Sequence, residues 1–592
     1  MLEYYSKATQ DPDQVLATWL REGAPIGILN EVTHTGVFPL SDPKLLADPD
    51  TLGTDPEGWR NYVSAEDNAE KVLEILQENV DARHGTWFDS YADLTNAVQG
   101  TPVFNKFGLI IKEKKDGSTK YRVVWDLRRS GVNDVVEQNE RIVLPRVGDA
   151  VSTALHLARS KEPDEELYFL VFDIENAFNN IPVRANERRF TCAAIGGKYL
   201  VFHTLVFGSA SSPTVWGRFA AWLGRSTAAI LRPDTAGLQI YVDDPLLAAR
   251  GSKPGVVRVF TRALVWSRVC GYPIAYHKIE AGGRIEWIGA ELAADEEYIT
   301  VTLSEARIHS LMDAIVKILK GPVASKKDLR SLCGVCSFVT GLIPTMRPFL
   351  SSLWAILSES GRSYDSGAEA AHRGQSHRIR RLPSAMFHTK QAKHALGWIL
   401  AFLRGSRGCI VRRYLIAPPP RSTLLEIATD ACPWGIGGVL LEDSAIRAFF
   451  FDKLHRVDLQ RFRLSAGDSG GNSVWEALAI LVGLRVWHDK LHTQALIRVK
   501  SDSRVALAAV LKLASPDPKL NLIAREIALD TAEFIYEPSL LEHIPGVANV
   551  VPDILSRFYS PEPKPFPSCL HHLCPTPVPV RDHSFWRTCV DA

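Results

Sequence analysis

Leu238-Gln239-Ile240-Tyr241-Val242-Asp243-Asp244-Pro245-Leu246-Leu247 decides the fold. Apolar residues alternate through Leu238, Ile240 and Val242, reach two adjacent carboxylates, and resume at Leu246 and Leu247. That pattern predicts a β-hairpin with paired acids at its tip. Two hard oxygen ligands suit Mg²⁺, which takes one or two carboxylates and leaves its other positions to water and substrate phosphates. A partner acid is expected upstream, and Leu170-Val171-Phe172-Asp173-Ile174-Glu175-Asn176-Ala177-Phe178 supplies it as an apolar strand ending on Asp173. Such acids can clamp two metal ions about 3.5–4 Å apart for in-line displacement at phosphorus. An Asp-Asp pair alone also fits a solvated turn. What distinguishes this one is its company, because between the two acid sites lies Leu205-Val206-Phe207-Gly208-Ser209-Ala210-Ser211-Ser212-Pro213. This small-residue loop opens an apolar helix through Trp216, Phe219 and Trp222.

In residue, order and spacing these segments resemble the palm motifs of reverse transcriptases. Asp173 to Phe178 with Ile181-Pro182 matches the first motif, Phe207-Gly208 through Pro213 the second, and Tyr241-Val242-Asp243-Asp244 the third. The resemblance implies that Asp173, Asp243 and Asp244 are catalytic metal ligands and that Phe178 is the aromatic steric gate against ribonucleotides. Phe207 and Gly208 would line the nucleotide site. Pro245 departs from the family, which has an amide-bearing aliphatic there. Proline biases the preceding residue toward extended backbone, which places Asp244 below Asp173 and Asp243 as a ligand. Tyr272 to Lys278 and Ile285 to Ala290 resemble the fourth and fifth motifs, which implies that Lys278 lies near the pyrophosphate leaving group.

Upstream, two strand patterns, Phe107 to Lys112 and Lys120 to Arg128, flank a turn at Lys114-Lys115-Asp116-Gly117-Ser118. Asp-Gly between such runs is a strong hairpin signal. The hairpin carries Lys112, Lys114, Lys115, Lys120, Arg122, Arg128 and Arg129. Lysines can simply blunt a solvated edge. The segment also looks like the fingers hairpin of reverse transcriptases, which implies that Lys114 contacts the incoming γ-phosphate and that Arg122 stacks on its base.

Residues 1–98 form a mostly helical leader. Asp11-Pro12 is expected to cap one helix with Val15, Leu16, Trp19 and Leu20 on a shared face and Gly23 at its end. Ser64-x-x-Asp67 is expected to open a second helix through Val72, Leu73, Ile75 and Leu76. Both apolar faces are expected to pack on the following domain. Beyond the palm, Ser304 and Ser325-x-x-Asp328 open two helices that match the thumb, with Lys317, Lys320, Lys326, Lys327 and Arg330 available to duplex phosphates. The second contains Cys333-Gly334-Val335-Cys336, which has no second Cys/His pair at zinc spacing and is expected to pack in a core. Residues 358–385 are rich in Ser, Gly, Arg and His and suggest a flexible basic linker.

A second carboxylate set follows. Leu424 to Thr429 is a strand pattern ending on Asp430, followed by Trp434-Gly435-Ile436-Gly437-Gly438-Val439; Glu476 lies on a helix; Leu496 to Ser501 is another strand pattern, ending on Asp502. His543 precedes Asp553 by ten residues, with Asn549 between. Open α/β folds place their sites at such strand ends. Together these segments resemble the RNase H domain. The resemblance implies that Asp430, Glu476, Asp502 and Asp553 hold two Mg²⁺ and that His543 assists proton transfer or product release. The tail after Ser560 is Pro-rich and contains Cys569, His571, His572 and Cys574, whose short spacing with no matching second half makes a poor zinc site.

Bulk properties bound the class. With 592 residues, 46% hydrophobic and 23% charged, the chain can build about two to four domains. A formal charge of +1 announces no global basicity, so nucleic-acid binding must come from local patches. Nine scattered cysteines form no disulfide framework, and there is neither an apolar signal core nor a membrane-length apolar run. The expected architecture is multidomain α/β. A right-hand polymerase, with fingers and palm at 99–302 (the palm an α+β antiparallel sheet) and thumb at 303–357, is followed by a linker or connection at 358–420, an RNase H-like α/β domain at 421–560 and the tail at 561–592. The expected function is RNA-directed DNA polymerase with RNase H activity, from a retrotransposon with long terminal repeats or of the DIRS type. Two Mg²⁺ per active site are implied, with Mn²⁺ able to substitute. The implied partners are RNA template, DNA primer or RNA–DNA hybrid and dNTPs, with no membrane, in an intracellular ribonucleoprotein of cytoplasm or nucleus. The rival classes are a catalytically inactive polymerase-like and RNase H-like scaffold, against which all seven acids count, and another kind of polymerase, such as an RNA-dependent RNA polymerase or a telomerase-like enzyme. A domain degrading RNA–DNA hybrids makes sense only with a DNA product.

Overall fold

The computed structural model describes residues 2–52, 58–113, 117–358, 383–408, 410–417, 424–491, 496–533 and 540–589. Lys114 and most of the 358–385 linker lie outside them. The chain packs as two compact units, Met1–Ile288 and Gly289–Ala592.

In the first unit, helices α1 (Leu16–Glu22) and α2 (Ala69–Asp81) precede the hairpin β1 (Lys106–Glu113) and β2 (Thr119–Asp126). The hairpin is antiparallel, with Ile110 opposite Arg122. After β3 (Glu166–Val171) come α3 (Ser212–Ile230), β4 (Ala236–Tyr241), β5 (Asp244–Gly251), α4 (Lys253–Val269) and β6 (Glu280–Gly282). The sheet order is β4-β5-β3-β6, antiparallel throughout. Its core joins Phe172 and Leu247 to Trp216, Phe219 and Trp222 of α3, and also takes in Leu16, Trp19, Val72 and Leu76. Both leader helices therefore pack as expected, although Leu20 is exposed.

The leader's helix starts differ from the capping patterns because tertiary partners compete for the capping side chains. α1 begins at Leu16, with Val15 in the cap position. Asp11 instead accepts from the backbone N–H of Asp13 and pairs with Arg225 at 2.8 Å. Asp13 meets Arg218 at 2.6 Å with both side chains fully buried, so neither charge is left alone in the interior. Ser64 lies inside the short helix Val63–Glu66 and accepts from the Leu109 N–H, while α2 opens after Asn68.

The second unit opens with β7 (Ala290–Ala294) and β8 (Tyr298–Leu303), which pairs with β9 (Arg412–Leu415). Helices α5 (Glu305–Leu319), α6 (Lys326–Leu342), α7 (Arg347–Ser358) and α8 (Lys390–Leu403) lie between β8 and β9 in the chain. Cys333 and Cys336 are fully buried on α6, and burial pushes both thiols up to about 12, so this pair packs rather than reacts.

The remainder is a five-stranded mixed sheet of β10 (Leu424–Ala431), β11 (Gly435–Glu442), β12 (Ala445–Lys453), β13 (Leu496–Ser501) and β14 (Leu540–His543). Its order is β12-β11-β10-β13-β14, antiparallel on one side of β10 and parallel on the other. Helices α9 (Asn472–Val486), α10 (Pro518–Ala532) and α11 (Val550–Ser556) complete it. This is the RNase H-like arrangement. Apart from Glu476, Arg485 and its first two residues, α9 is apolar on every face and almost wholly buried, as a helix enclosed on every side must be. The tail is part of this fold: Trp586 is fully buried, and the buried Arg581 pairs with Asp452 and Asp458. Among the described residues, no helix is long and apolar enough to cross a membrane.

Candidate active sites

The palm acids meet because a two-residue turn faces the end of β3. Tyr241 pairs with Asp244, which leaves Val242 and Asp243 as the turn. Val242 has φ +56°, a left-handed backbone that a β-branched side chain adopts only under strain. The surroundings hold it there. The indole N–H of Trp216 donates to the Val242 carbonyl at 2.8 Å, the Ile174 N–H donates to the Asp243 carbonyl at 2.9 Å, and the indole N–H of Trp287 donates to the Asp244 carbonyl at 3.0 Å. The Asp173 carbonyl in turn accepts from the Ala275 N–H at 3.0 Å.

Asp173, Asp243 and Asp244 therefore converge electrostatically. Burial, then the charges of Asp243 and Asp173, pushes the Asp244 carboxyl up to about 6. Burial chiefly raises Asp243 as well. Lys278 lies 2.7 Å from the Asp173 carboxylate, and this hydrogen bond raises the ammonium pKa. The three acids lack enough local positive charge, which fits hard divalent cations held by carboxylates. Pro245 leaves Asp244 within this group.

Phe178 begins a single 3₁₀ turn, Phe178–Asn180, and is buried. Its ring centroid is 4.7 Å from that of Phe207, which is half exposed. Gly208 has φ +102°, and a Cβ there would come within 2.5 Å of the Trp125 carbonyl oxygen on β2, so no larger residue fits. Asn133 clamps this loop by donating to the Gly208 carbonyl and accepting from the Ala210 N–H. Asn133, Trp216 and Trp287 were not foreseen as supports of the site. A side chain that acts on backbone atoms of a distant loop leaves no periodic trace. Arg122 is exposed on β2.

In the second unit, Asp430, Glu476 and Asp502 each present a carboxylate oxygen, all within 4.8 Å of one another. Among the described residues they form the one such group of three or more candidate metal ligands. Asp430 lies near the end of β10, Asp502 follows β13, and Glu476 projects from α9, where it accepts from the Ala431 N–H at 3.0 Å. Burial, then the neighbouring carboxylates, raises the pKa of Glu476; Asp430 is raised mainly by burial, against a hydrogen bond from Ser556. The Ser556 hydroxyl donates to Asp430 at 2.6 Å. Three converging carboxylate oxygens, two of them on the buried Asp430 and Glu476 and one on the part-buried Asp502, are a fit for Mg²⁺ or Mn²⁺.

Asp553 is not in that three-residue group. Its carboxylate pairs with Arg557 at 2.6 Å and with Lys564. Burial pushes this carboxyl up, but the hydrogen bonds from Lys564 and Arg557 outweigh it and hold the group below the usual carboxylate range. Asp553 still contributes to the raised pKa of Asp430. The approach of α11 depends on Gly437, where a Cβ would lie 2.7 Å from the backbone nitrogen of Ser556. His543 is exposed, with Nε2 3.0 Å from the Asp502 carbonyl oxygen. The Asn549 amide donates to the Thr429 carbonyl. In the tail, Cys569 and Cys574 are free and exposed.

The raised carboxyl pKa values of Asp430 and Glu476 predict a pH-dependent response to metal. A carboxyl whose folded pKa lies above its unfolded value favours the fold at low pH, and that contribution is lost as pH rises through the folded pKa. Without divalent metal, thermal stability of this unit is expected to fall from pH 5.5 to pH 8.5. Added Mg²⁺ is expected to raise Tm more at pH 8.5, where it displaces fewer protons. Differential scanning calorimetry with and without Mg²⁺ checks both trends, and Asp502→Asn is expected to remove most of the metal-dependent gain.

A polymerase palm is thus present, with a strained acid hairpin facing a third acid and the Phe178–Phe207 ring pair. Residues 111–292 match the family of reverse transcriptase (RNA-dependent DNA polymerase), and this segment is a reverse transcriptase domain. No curated protein matches the chain. Among solved structures, the chain is similar to the foamy viral protease-reverse transcriptase in complex with double-stranded DNA, at 15% identity and TM-score 0.42, over 85% of this chain and 88% of that one. It is also similar to the foamy viral protease-reverse transcriptase in complex with RNA/DNA hybrid, at 13% identity and TM-score 0.42, over 90% of this chain and 60% of that one.

Proposed function

We propose that the chain copies an RNA template into DNA and degrades the RNA strand of the resulting hybrid, with the first unit catalysing nucleotidyl transfer and the second acting as a ribonuclease H. The observation that carries this reading is the Asp430–Glu476–Asp502 group on an RNase H-like sheet, in the same chain as a reverse transcriptase domain. Each acid set would hold two Mg²⁺, which supply charge neutralisation at phosphorus and an activated attacking oxygen. Asp173, Asp243 and Asp244 would hold the polymerase ions. Asp430, Glu476, Asp502 and Asp553 would hold those of the nuclease, with His543 beside the leaving product. Lys278 would meet the departing pyrophosphate. Residues 303–357 would form the thumb. Phe207-Gly208 supports assignment to a retrotransposon with long terminal repeats or of the DIRS type.

Extension of a DNA primer on an RNA template with Mg²⁺ and dNTPs, with both strands labelled, tests the reading. Primer elongation together with template cleavage is expected. Binding with neither reaction would identify a scaffold instead.

At the fingers, Arg122 would stack on the incoming base and Lys114 would reach its γ-phosphate. Arg122→Ala is expected to raise the KM for dNTP by roughly tenfold, the scale of a desolvated cation–π contact, while leaving template-primer affinity within about twofold. Steady-state extension and a gel-shift titration measure the two. Equal losses in both would place the hairpin on the template.

A further inference from the structure

The C-terminal segment delivers a cation to one nuclease carboxylate and to none of the other three. Among the described residues, Asp430, Glu476 and Asp502 have no Lys or Arg within ion-pair distance, whereas both oxygens of Asp553 are engaged: Oδ1 by Arg557 and Oδ2 by Lys564. The two contacts differ in origin. Arg557 is four residues along the same chain segment, an ordinary local pair of small energetic weight. Lys564 comes from the tail and is built into place. It lies between Pro563 and Pro565, which fix φ on either side of it and bias Lys564 itself toward extended backbone.

Two residues on, Phe566 packs its ring against Phe449, Phe451 and Phe558 and stacks on His571, with centroids 6.0 Å apart. The buried Leu570 joins a cluster with Ala428 and Leu555, each two residues from a nuclease acid. The anchor that holds the lysine is thus continuous with the elements that carry Asp430 and Asp553.

We propose that Lys564 is an internal counter-cation for Asp553 that competes with the second metal ion of the nuclease site, so that the C-terminal segment sets how tightly that ion binds. This rests on the nuclease reading above. A metal ion bound through Asp553 Oδ2 requires the ammonium to leave. Lys564 is about half exposed, so it can swing into solvent without unfolding the tail. The first ion, held by Asp430, Glu476 and Asp502, meets no such competitor.

Mn²⁺ binding to the full chain carrying Asp243→Asn, which weakens the palm sites, tests this by electron paramagnetic resonance of the free ion. One tight and one weak nuclease site are expected. Lys564→Ala is expected to tighten the weak site by about fivefold and Lys564→Arg to leave it unchanged. In an Asp553→Asn background, Lys564→Ala is expected to have no effect. The Mg²⁺ concentration for half-maximal hybrid cleavage is expected to fall in parallel in the Lys564→Ala protein. An unchanged weak site in Lys564→Ala, or the same tightening without Asp553, overturns the proposal. Persistence of the tight site in Asp502→Asn overturns instead the nuclease reading on which it rests.

Discussion

Asp243→Asn is expected to abolish DNA synthesis while leaving hybrid cleavage intact, and Asp502→Asn is expected to do the reverse. Each acid belongs to a separate compact unit with its own core and its own set of carboxylates. Asparagine keeps the size of aspartate but removes the charge that holds a divalent ion. The loss of charge stabilisation at a reacting phosphate is several kcal/mol, which is on the order of a 10³-fold or greater fall in rate. The fold should survive both changes. Asp243 contributes its backbone carbonyl to the Ile174 hydrogen bond, which asparagine retains, and Asp502 likewise offers its carbonyl oxygen to His543. Primer extension and cleavage of a preformed RNA–DNA hybrid, measured on the same preparations, separate the outcomes. Loss of both activities in either folded variant would show that the two centres depend on one another.

Much of this was legible from residue order because the decisive segments are short and strongly patterned. Alternation through Leu238 and Ile240 locates the β4–β5 hairpin, since that pattern is local and of period two, although the turn falls at Val242-Asp243, one residue before the acid pair. Asp430 and Asp502 were visible for the same reason, at the ends of strand patterns, and Glu476 on a helix joins them in one group; Asp553, on a second helix, does not. What was not legible is tertiary competition. Asp11 resembles a helix cap until Arg225 draws it away, and Ser64 resembles one until the Leu109 N–H occupies it. The tail has no period at all, so neither the burial of Trp586 nor the reach of Lys564 to Asp553 could be read from it. Asn133 and the two tryptophans that pin the acid hairpin act through backbone atoms far away in sequence, where no spacing rule connects them.

Phe178→Val is expected to open the enzyme to ribonucleotides. Phe178 lies five residues after Asp173, on a tight turn that an Asn180 side-chain hydrogen bond to the Glu175 carbonyl holds at 2.8 Å. On the proposed polymerase reading, a nucleotide whose phosphates are held at Asp173 and Asp243 would lay its sugar over this turn, and a ring there would fill the space a 2′-hydroxyl needs. The ring cannot easily retreat. It is buried against Phe207 at 4.7 Å, and Phe207 is followed by Gly208, whose close approach to the Trp125 carbonyl leaves the loop no slack. Overpacking a rigid site costs about 1–3 kcal/mol, which corresponds to roughly tenfold to hundredfold discrimination per nucleotide. Valine removes most of the ring while keeping the position apolar. The ratio of kcat/KM for a matched deoxynucleotide to that for its ribonucleotide is therefore expected to fall by that factor, chiefly through faster ribonucleotide use. A ratio that stays at the wild-type value, in an enzyme that still extends with deoxynucleotides, would make Phe178 a packing residue of the palm and move sugar selection to another contact. Phe207→Ala separates the two cases further. If the rings act as one wall, removing the outer support is expected to relax selection in the same direction by a smaller factor, because Phe178 keeps its place on the turn but loses the contact that stiffens it.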